Sequence, residues 1–192
     1  MWSTVSKNSL PNRQTVSAVL AIVGVAYPFL VYAGSGSLPP GAWAVLGLAL
    51  ASGRMLAVRG EKLARHLLPP LCFVVAAMAG TGAMAPELAT RLYPVLMSLA
   101  FASAFGLSLM RPPSLIEVFA ALGKSAPPPT ARPYMRRLTA VWCIFLLANS
   151  GAAAATLGAP EWLWALYNGL ISYLLIGALF LGERLLRKRL GG

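Results

Sequence analysis

Six apolar stretches divide the chain: Val16–Ala33, Ala42–Val58, Pro69–Ala85, Leu92–Met110, Leu138–Leu157 and Trp162–Leu181. Each runs for about 17–20 residues, and about 20 helical residues cross the hydrocarbon core of a bilayer. None shows the polar–apolar alternation of a half-buried strand; Leu170–Leu181 is apolar almost throughout. Helix is also what lipid demands, because every backbone N–H and C=O there must be paired within its own segment. The pattern predicts an all-α, polytopic membrane protein with six transmembrane helices, one membrane domain over residues 1–192.

A different pattern occupies the fourth connection. Ser114 and Glu117 stand at capping-box spacing just after Pro112-Pro113, and Gly123 supplies a stop. Between them Leu115, Val118, Phe119 and Leu122 recur at i, i+3, i+4 and i+7. This predicts a short amphipathic helix over 115–122 lying on the membrane surface, followed by an extended linker, Ala126-Pro127-Pro128-Pro129. The segment 111–137 is either a simple anchor or a docking place for a membrane or cytoplasmic protein partner. The basic and apolar stretch Arg54–Leu68 reads as an extension of the second helix along the interface.

The bases orient the bundle. The N-terminal segment holds Lys7 and Arg13; the second connection Arg54, Arg59, Lys62 and Arg65; the fourth Arg111, Lys124, Arg132, Arg136 and Arg137; the C-terminal segment Arg184, Arg187, Lys188 and Arg189. The other connections together hold only Arg91, so the asymmetry is 15 to 1, and 15 + 1 recovers all 16 bases. The positive-inside rule then predicts N-in/C-in topology. Trp43, Tyr93, Trp162 and Trp164 fall where an outer aromatic belt belongs. Val31-Tyr32-Ala33 resembles a signal-peptidase site, but the preceding apolar run is long for a signal peptide, and a retained helix is expected.

Composition agrees with the pattern. Only 11% of residues are charged, against roughly 25% in soluble domains, and the mean hydropathy is +0.70. The net charge of +11 is explained by short basic loops, which attract anionic lipid by roughly 1 kcal/mol per base. It gives no reason to expect nucleic-acid binding.

The inventory of reactive groups argues against an enzyme. Cys72 and Cys143 lie inside apolar segments and read as small buried apolar residues; His66 lies in a cytoplasmic loop. No metal-ligand spacing, HExxH, nucleophile elbow or P-loop is present, so neither a cofactor nor a metal is expected. Glu61, Glu87, Glu117, Glu161 and Glu183 all fall in loops or at helix ends, with Glu183 one turn from Arg187. Without an intramembrane acid there is no evident proton relay, which also weakens an ion-coupled transporter.

Candidate ligand-binding residues come from the few polar groups inside the spans. Asn149 and Asn168 sit roughly 9–12 Å from the outer ends of helices five and six. The short connection between those helices makes them antiparallel neighbours, so the amides are expected to meet or to line one cavity. Tyr167 adjoins Asn168, Trp142 shares a face with Asn149, and Tyr27 and Tyr93, each followed by proline, fall in the outer half. These six either hydrogen-bond helices together or form a small polar pocket for a lipid head.

Four stretches carry a resemblance: Tyr93-Pro94-Val95-Leu96-Met97, Arg111–Glu117, Tyr134–Thr139 with Val141-Trp142-Cys143, and Trp164–Ile171. Together, over roughly residues 90–185, they resemble an uncharacterised bacterial inner-membrane family of aryl-polyene and xanthomonadin-type biosynthesis clusters. The resemblance implies an inner-membrane protein serving the assembly or transfer of a polyene-type lipid or pigment. Members are sometimes labelled ketosynthase, and the missing nucleophile and partners in this chain contradict that label. A fainter similarity, through Trp142–Asn149, is to septation protein A, which implies a cell-envelope scaffold. A small lipid or metabolite transporter is the third expectation, and it rests on the Asn149/Asn168 region.

Overall fold

The computed structural model describes residues 13–58, 63–122 and 128–190. Its elements are α1 (Arg13–Gly34), α2 (Pro40–Val58), α3 (Ala64–Met84), α4 (Pro86–Met110), α5 (Leu115–Ala121), α6 (Arg132–Ala155), α7 (Glu161–Ala165) and α8 (Ser172–Leu190). A π-helical turn, Leu166–Ile171, joins α7 to α8, so these three pieces make one span. Among the described residues, six helices are long and apolar enough to cross a membrane. The protein is therefore an all-α, six-span bundle. An even number of spans leaves both termini on one face, here called the terminal face.

Most helices begin earlier or end later than their apolar runs. α3 starts at Ala64 rather than Pro69, and α4 at Pro86 rather than Leu92. Proline at the first helical position lacks only an N–H that would be unpaired anyway, and Glu87 in the first turn of α4 favours the helix dipole. α6 begins at Arg132, six residues before the apolar run, because charged side chains reach water while the backbone stays helical. Of the stretch Arg54–Leu68, residues up to Val58 belong to α2 and residues 64–68 to the first turn of α3, while residues 59–62 lie outside the described residues.

The lipid-facing surface is apolar, as a bundle without water around it requires. Ile22, Val45, Phe73, Ile144 and Leu174 are each more than half exposed. α4 lies at the centre: half of its most apolar window is buried, against 22–28% in the other spans. It packs on α2, α3 and α6, while α1 fills the remaining side between α2 and the sixth span. Gly169 lets α1 and the sixth span approach, since a Cβ there would stand 2.7 Å from the Phe29 ring.

Several expectations are corrected. Cys72 is exposed on the lipid side, not buried. His66 is not in a loop but buried in the first turn of α3. Of the expected aromatic belt, Tyr93 and Trp164 are buried in the bundle, and Trp162 remains exposed. Arg91 lies within α4, where its guanidinium donates to the carbonyls of Leu157 (2.9 Å) and Ala159 (2.7 Å). It thus ties off carbonyls left free beyond the end of α6.

α5 forms as the capping pattern predicts. The Glu117 carboxylate accepts from the Ser114 amide (3.2 Å) and hydroxyl (2.7 Å). Its apolar face is divided, however: Leu115 and Val118 are buried against the bundle, while Phe119 and Leu122 are exposed. The Leu115 amide donates to Ser108 of α4 (2.9 Å), which pins the helix to the bundle itself. The Gly123 stop, Lys124 and residues 126–127 of the linker lie outside the described residues; of the rest of the expected linker, Pro128 is extended but Pro129 opens a 3-10 turn, Pro129–Ala131.

Candidate functional site

Helix direction sets up the polar centre of the bundle. α2 runs toward the terminal face, and Arg54 lies four residues before its last residue, Val58. Side chains tilt toward the N-terminus of their helix, so this one is directed back into the membrane. An arginine so near a helix end ordinarily snorkels to water. Here Nη2 instead donates to the carbonyl of Leu20 in α1 at 3.2 Å. The guanidinium then rests on Gly24, where a Cβ would collide with Nη2. Gly24 is eleven residues from Arg13 and ten from Gly34, about 15 Å from either end of α1. The charge sits at mid-depth.

A cation in mid-membrane costs about 2.5–3.5 kcal/mol on insertion scales, and such residues commonly mark functional pathways. Its surroundings mix apolar side chains with a few hydroxyls and one amide, and no carboxylate among the described residues lines them. Arg54, Tyr93, Ser98, Asn168, Ser172 and Tyr173 line a cavity of about 190 Å³ between α1, α2, α4 and the sixth span. Arg54 Nε and the Tyr93 hydroxyl are buried there without a hydrogen-bond partner. The Tyr173 hydroxyl donates only a long bond, 3.4 Å, to the Gly24 carbonyl. The one ion pair among the described residues joins Glu183 to Arg187 at 3.4 Å, far along α8.

Asn149 stands behind this cavity, bonded to two of the residues that line it, Ser98 and Ser172. Its Oδ1 accepts from Ser172 (2.8 Å) and Tyr167 (3.2 Å), and its Nδ2 donates to Ser98 of α4 (3.0 Å). Asn168 donates to Thr156 (3.0 Å) and to the Trp164 carbonyl (2.8 Å) within the π-helical turn. The two amides therefore share a region without touching each other. Both bind α6 to the sixth span, and their hydrogen-bonding capacity is largely used.

The other expected site residues separate. Tyr93 lines the cavity; Tyr27 stands behind it, its hydroxyl donating to the carbonyls of Trp43 and Thr90, both at 3.1 Å. Trp142 belongs to a second cavity of about 600 Å³ beneath the first, lined also by Phe105, Phe119, Tyr134, Phe180 and Glu183. At its rim the Tyr134 hydroxyl donates to Glu183 at 3.2 Å. The two cavities share no lining residue among those described, but successive turns of the same three spans line them. Phe101, Leu146 and Ile176 line the first, and Phe105, Trp142 and Phe180, four residues away on each helix, line the second.

Arg54, Ser98, Ser172 and Tyr173 were not among the expected site residues. Arg54 falls inside the apolar run Ala42–Val58 yet reads as a loop base in the charge count, and its place within the run is the signal for it. Ser172 lies one turn beyond Asn168, on the same face. For Ser98 and Tyr173 the sequence carries no comparable signal.

The donor-rich upper cavity can hold an anionic or hydrogen-bond-accepting group, and the lower one an apolar chain. Among the described residues no cluster of metal-ligating side chains occurs, and Cys143 is occupied by a 3.4 Å contact to the Ala102 carbonyl. No family model matches the sequence, and comparison with curated proteins and with solved structures returned no match.

Proposed function

We propose that this protein is a non-catalytic accessory of the bacterial cytoplasmic membrane that holds an amphiphilic lipid and passes it to other components. The single observation supporting this is the pair of neighbouring cavities, one with polar groups and one aromatic, lined by successive turns of α4, α6 and the sixth span; we read them as one crevice. Ligand sites commonly occupy about 300–1,000 Å³ and are mostly apolar with a few convergent polar groups. The lower cavity is of that kind, and the upper supplies the polar groups.

A polyene-type lipid or pigment is the ligand class that the resemblance over residues 90–185 implies, and a long apolar chain suits the aromatic lower cavity. The terminal face is the cytoplasmic one in this reading. Removing Arg54 from the loop count leaves 15 − 1 = 14 bases against 1, which supports the same orientation.

Two measurements test the proposal. Mass spectrometry of the detergent-purified protein should find one lipid class retained in excess over bulk membrane lipid, and substitution of Trp142 or Phe180 by a charged residue should abolish that retention. A deletion strain should lose pigment or a minor envelope lipid while its cell shape stays normal. Altered shape with unchanged lipids would point to a scaffold instead.

A further inference from the structure

We propose that Arg54 is the receptor for an anionic head group, a carboxylate or a phosphate monoester on a single apolar chain, bound at the middle of the membrane-spanning bundle. This rests on the crevice reading above and adds what that reading leaves open, the charge and depth of the ligand's head.

The orientation of the side chain is the first argument. Arg54 lies near the end of the described part of α2 and yet bonds Leu20 and rests on Gly24, directed into the bundle. Holding a guanidinium there is unfavourable unless something compensates its charge. Among the described residues no carboxylate does so. Glu117 is taken by Ser114, Glu183 by Arg187 and Tyr134, and Glu87 and Glu161 begin helices on the opposite face.

The second argument is the chemistry of the unpaired groups. Arg54 Nε can only donate, and the Tyr93 hydroxyl beside it can donate too. A guanidinium with a buried Nε that bonds nothing, beside a tyrosine hydroxyl able to donate, at a cavity without a carboxylate among its described lining residues, describes a receptor for an oxyanion. Among the described residues an ammonium head would find no counter-charge there.

Size and continuity set the rest of the ligand. About 190 Å³ takes a compact head but not its chain, and in the pose we propose the chain passes Phe101, Leu146 and Ile176, one helical turn from Phe105, Trp142 and Phe180 of the aromatic cavity. The small size of the upper cavity favours one chain over two.

The test uses the full-length protein in nanodiscs with cis-parinaric acid, a fluorescent tetraene fatty acid, and its methyl ester. The acid should bind at least about tenfold more tightly than the ester. Arg54→Gln should remove that difference while the ester's affinity stays unchanged. Gly24→Ala, which keeps Arg54 but pushes its guanidinium aside, should weaken the acid selectively and guards against loss of fold in the first variant. Competition by palmitic acid against palmitoyl lysophosphatidic acid then tells a carboxylate ligand from a phosphate one. Equal binding of acid and ester, or acid binding untouched by both variants, would overturn the role of Arg54 and leave the crevice standing. Failure of acid, ester and both competitors alike would overturn the crevice reading together with it.

Discussion

Tyr27 and Tyr93 stack with ring centroids 4.6 Å apart and planes at 53°, yet their hydroxyls differ completely in what they bind. The Tyr27 hydroxyl bridges the Trp43 and Thr90 carbonyls and so fastens α1 to α2 and α4. That of Tyr93 is buried with no partner. The tyrosines of the two Tyr-Pro pairs, 66 residues apart in the chain, thus meet ring against tilted ring with different tasks.

Tyr27→Phe should destabilise the protein by about 1–2 kcal/mol, because it leaves buried carbonyls short of a donor. Tyr93→Phe should change stability by less than about 0.5 kcal/mol, since it removes a group that bonds nothing. Reversible unfolding in mixed micelles measures both. Equal losses would show that the Tyr93 hydroxyl has a protein partner after all.

The orientation of the bundle yields a second prediction. Reporter fusions at Lys124 and Gly192 should report cytoplasm, and fusions at Ser37 and Pro160 periplasm, given the asymmetry of bases across the connections. A periplasmic signal at Lys124 would contradict the orientation proposed here.

The six spans were legible in the sequence because a bilayer imposes length and apolarity on each segment independently of its neighbours. The hydrogen bonds of Glu117 at α5 were legible for a similar reason, as capping is local. The site was legible only in part. Asn149 and Asn168 stood out as polar residues in apolar runs, and the structure does bring them to one region. Their partners depend on which helices adjoin, which no single segment encodes. Arg54 was obscured by its neighbours Arg59, Lys62 and Arg65, which made it one more loop base. Only the direction of α2 distinguishes an arginine aimed at the midplane from one reaching water. The π-helical turn at Leu166–Ile171 likewise packs against α1, with Gly169 under the Phe29 ring, a neighbour that its own segment does not encode.

α5 provides a third prediction. In single-cysteine variants, Leu115→Cys and Val118→Cys should resist a water-soluble maleimide both in membranes and in detergent, since the protein itself covers them. Ala121→Cys should react in both. Phe119→Cys and Leu122→Cys, exposed on the protein, should be protected in membranes alone if that edge of the helix rests on lipid. Reaction of all five positions in membranes would show that α5 leaves the bundle.

The cysteines and the histidine should be dispensable. Cys72→Ser changes a lipid-facing side chain with no reactive neighbour, and Cys143→Ser preserves a donor for the Ala102 carbonyl. Both variants should keep lipid retention near normal, because nucleophilic catalysis needs a base within hydrogen-bond reach and none is found beside either thiol. His66→Ala should cost some stability, the ring being buried, without changing retention. Complete loss of function in Cys143→Ser at normal protein level would revive an enzymatic role.

Asn149 allows structural and ligand-binding roles to be separated. It makes three side-chain hydrogen bonds, to Ser98 of α4 and to Tyr167 and Ser172 of the sixth span, and it is the residue through which α4, α6 and that span are joined. Interhelical bonds in membranes average about 0.6 kcal/mol each, so Asn149→Leu should cost roughly 1–2 kcal/mol. Ser172→Ala should cost less, because Asn149 then keeps two of its three partners. The pair should be non-additive, with a coupling near 0.6 kcal/mol in a double-mutant cycle. Fatty-acid binding in Asn149→Leu should weaken only as far as the wall of the cavity loosens, and the preference for acid over ester, which Arg54 sets, should persist. Additive losses would mean that the bond to Ser172 contributes nothing. Loss of the acid preference at unchanged stability would move the head-group site from Arg54 to the amide.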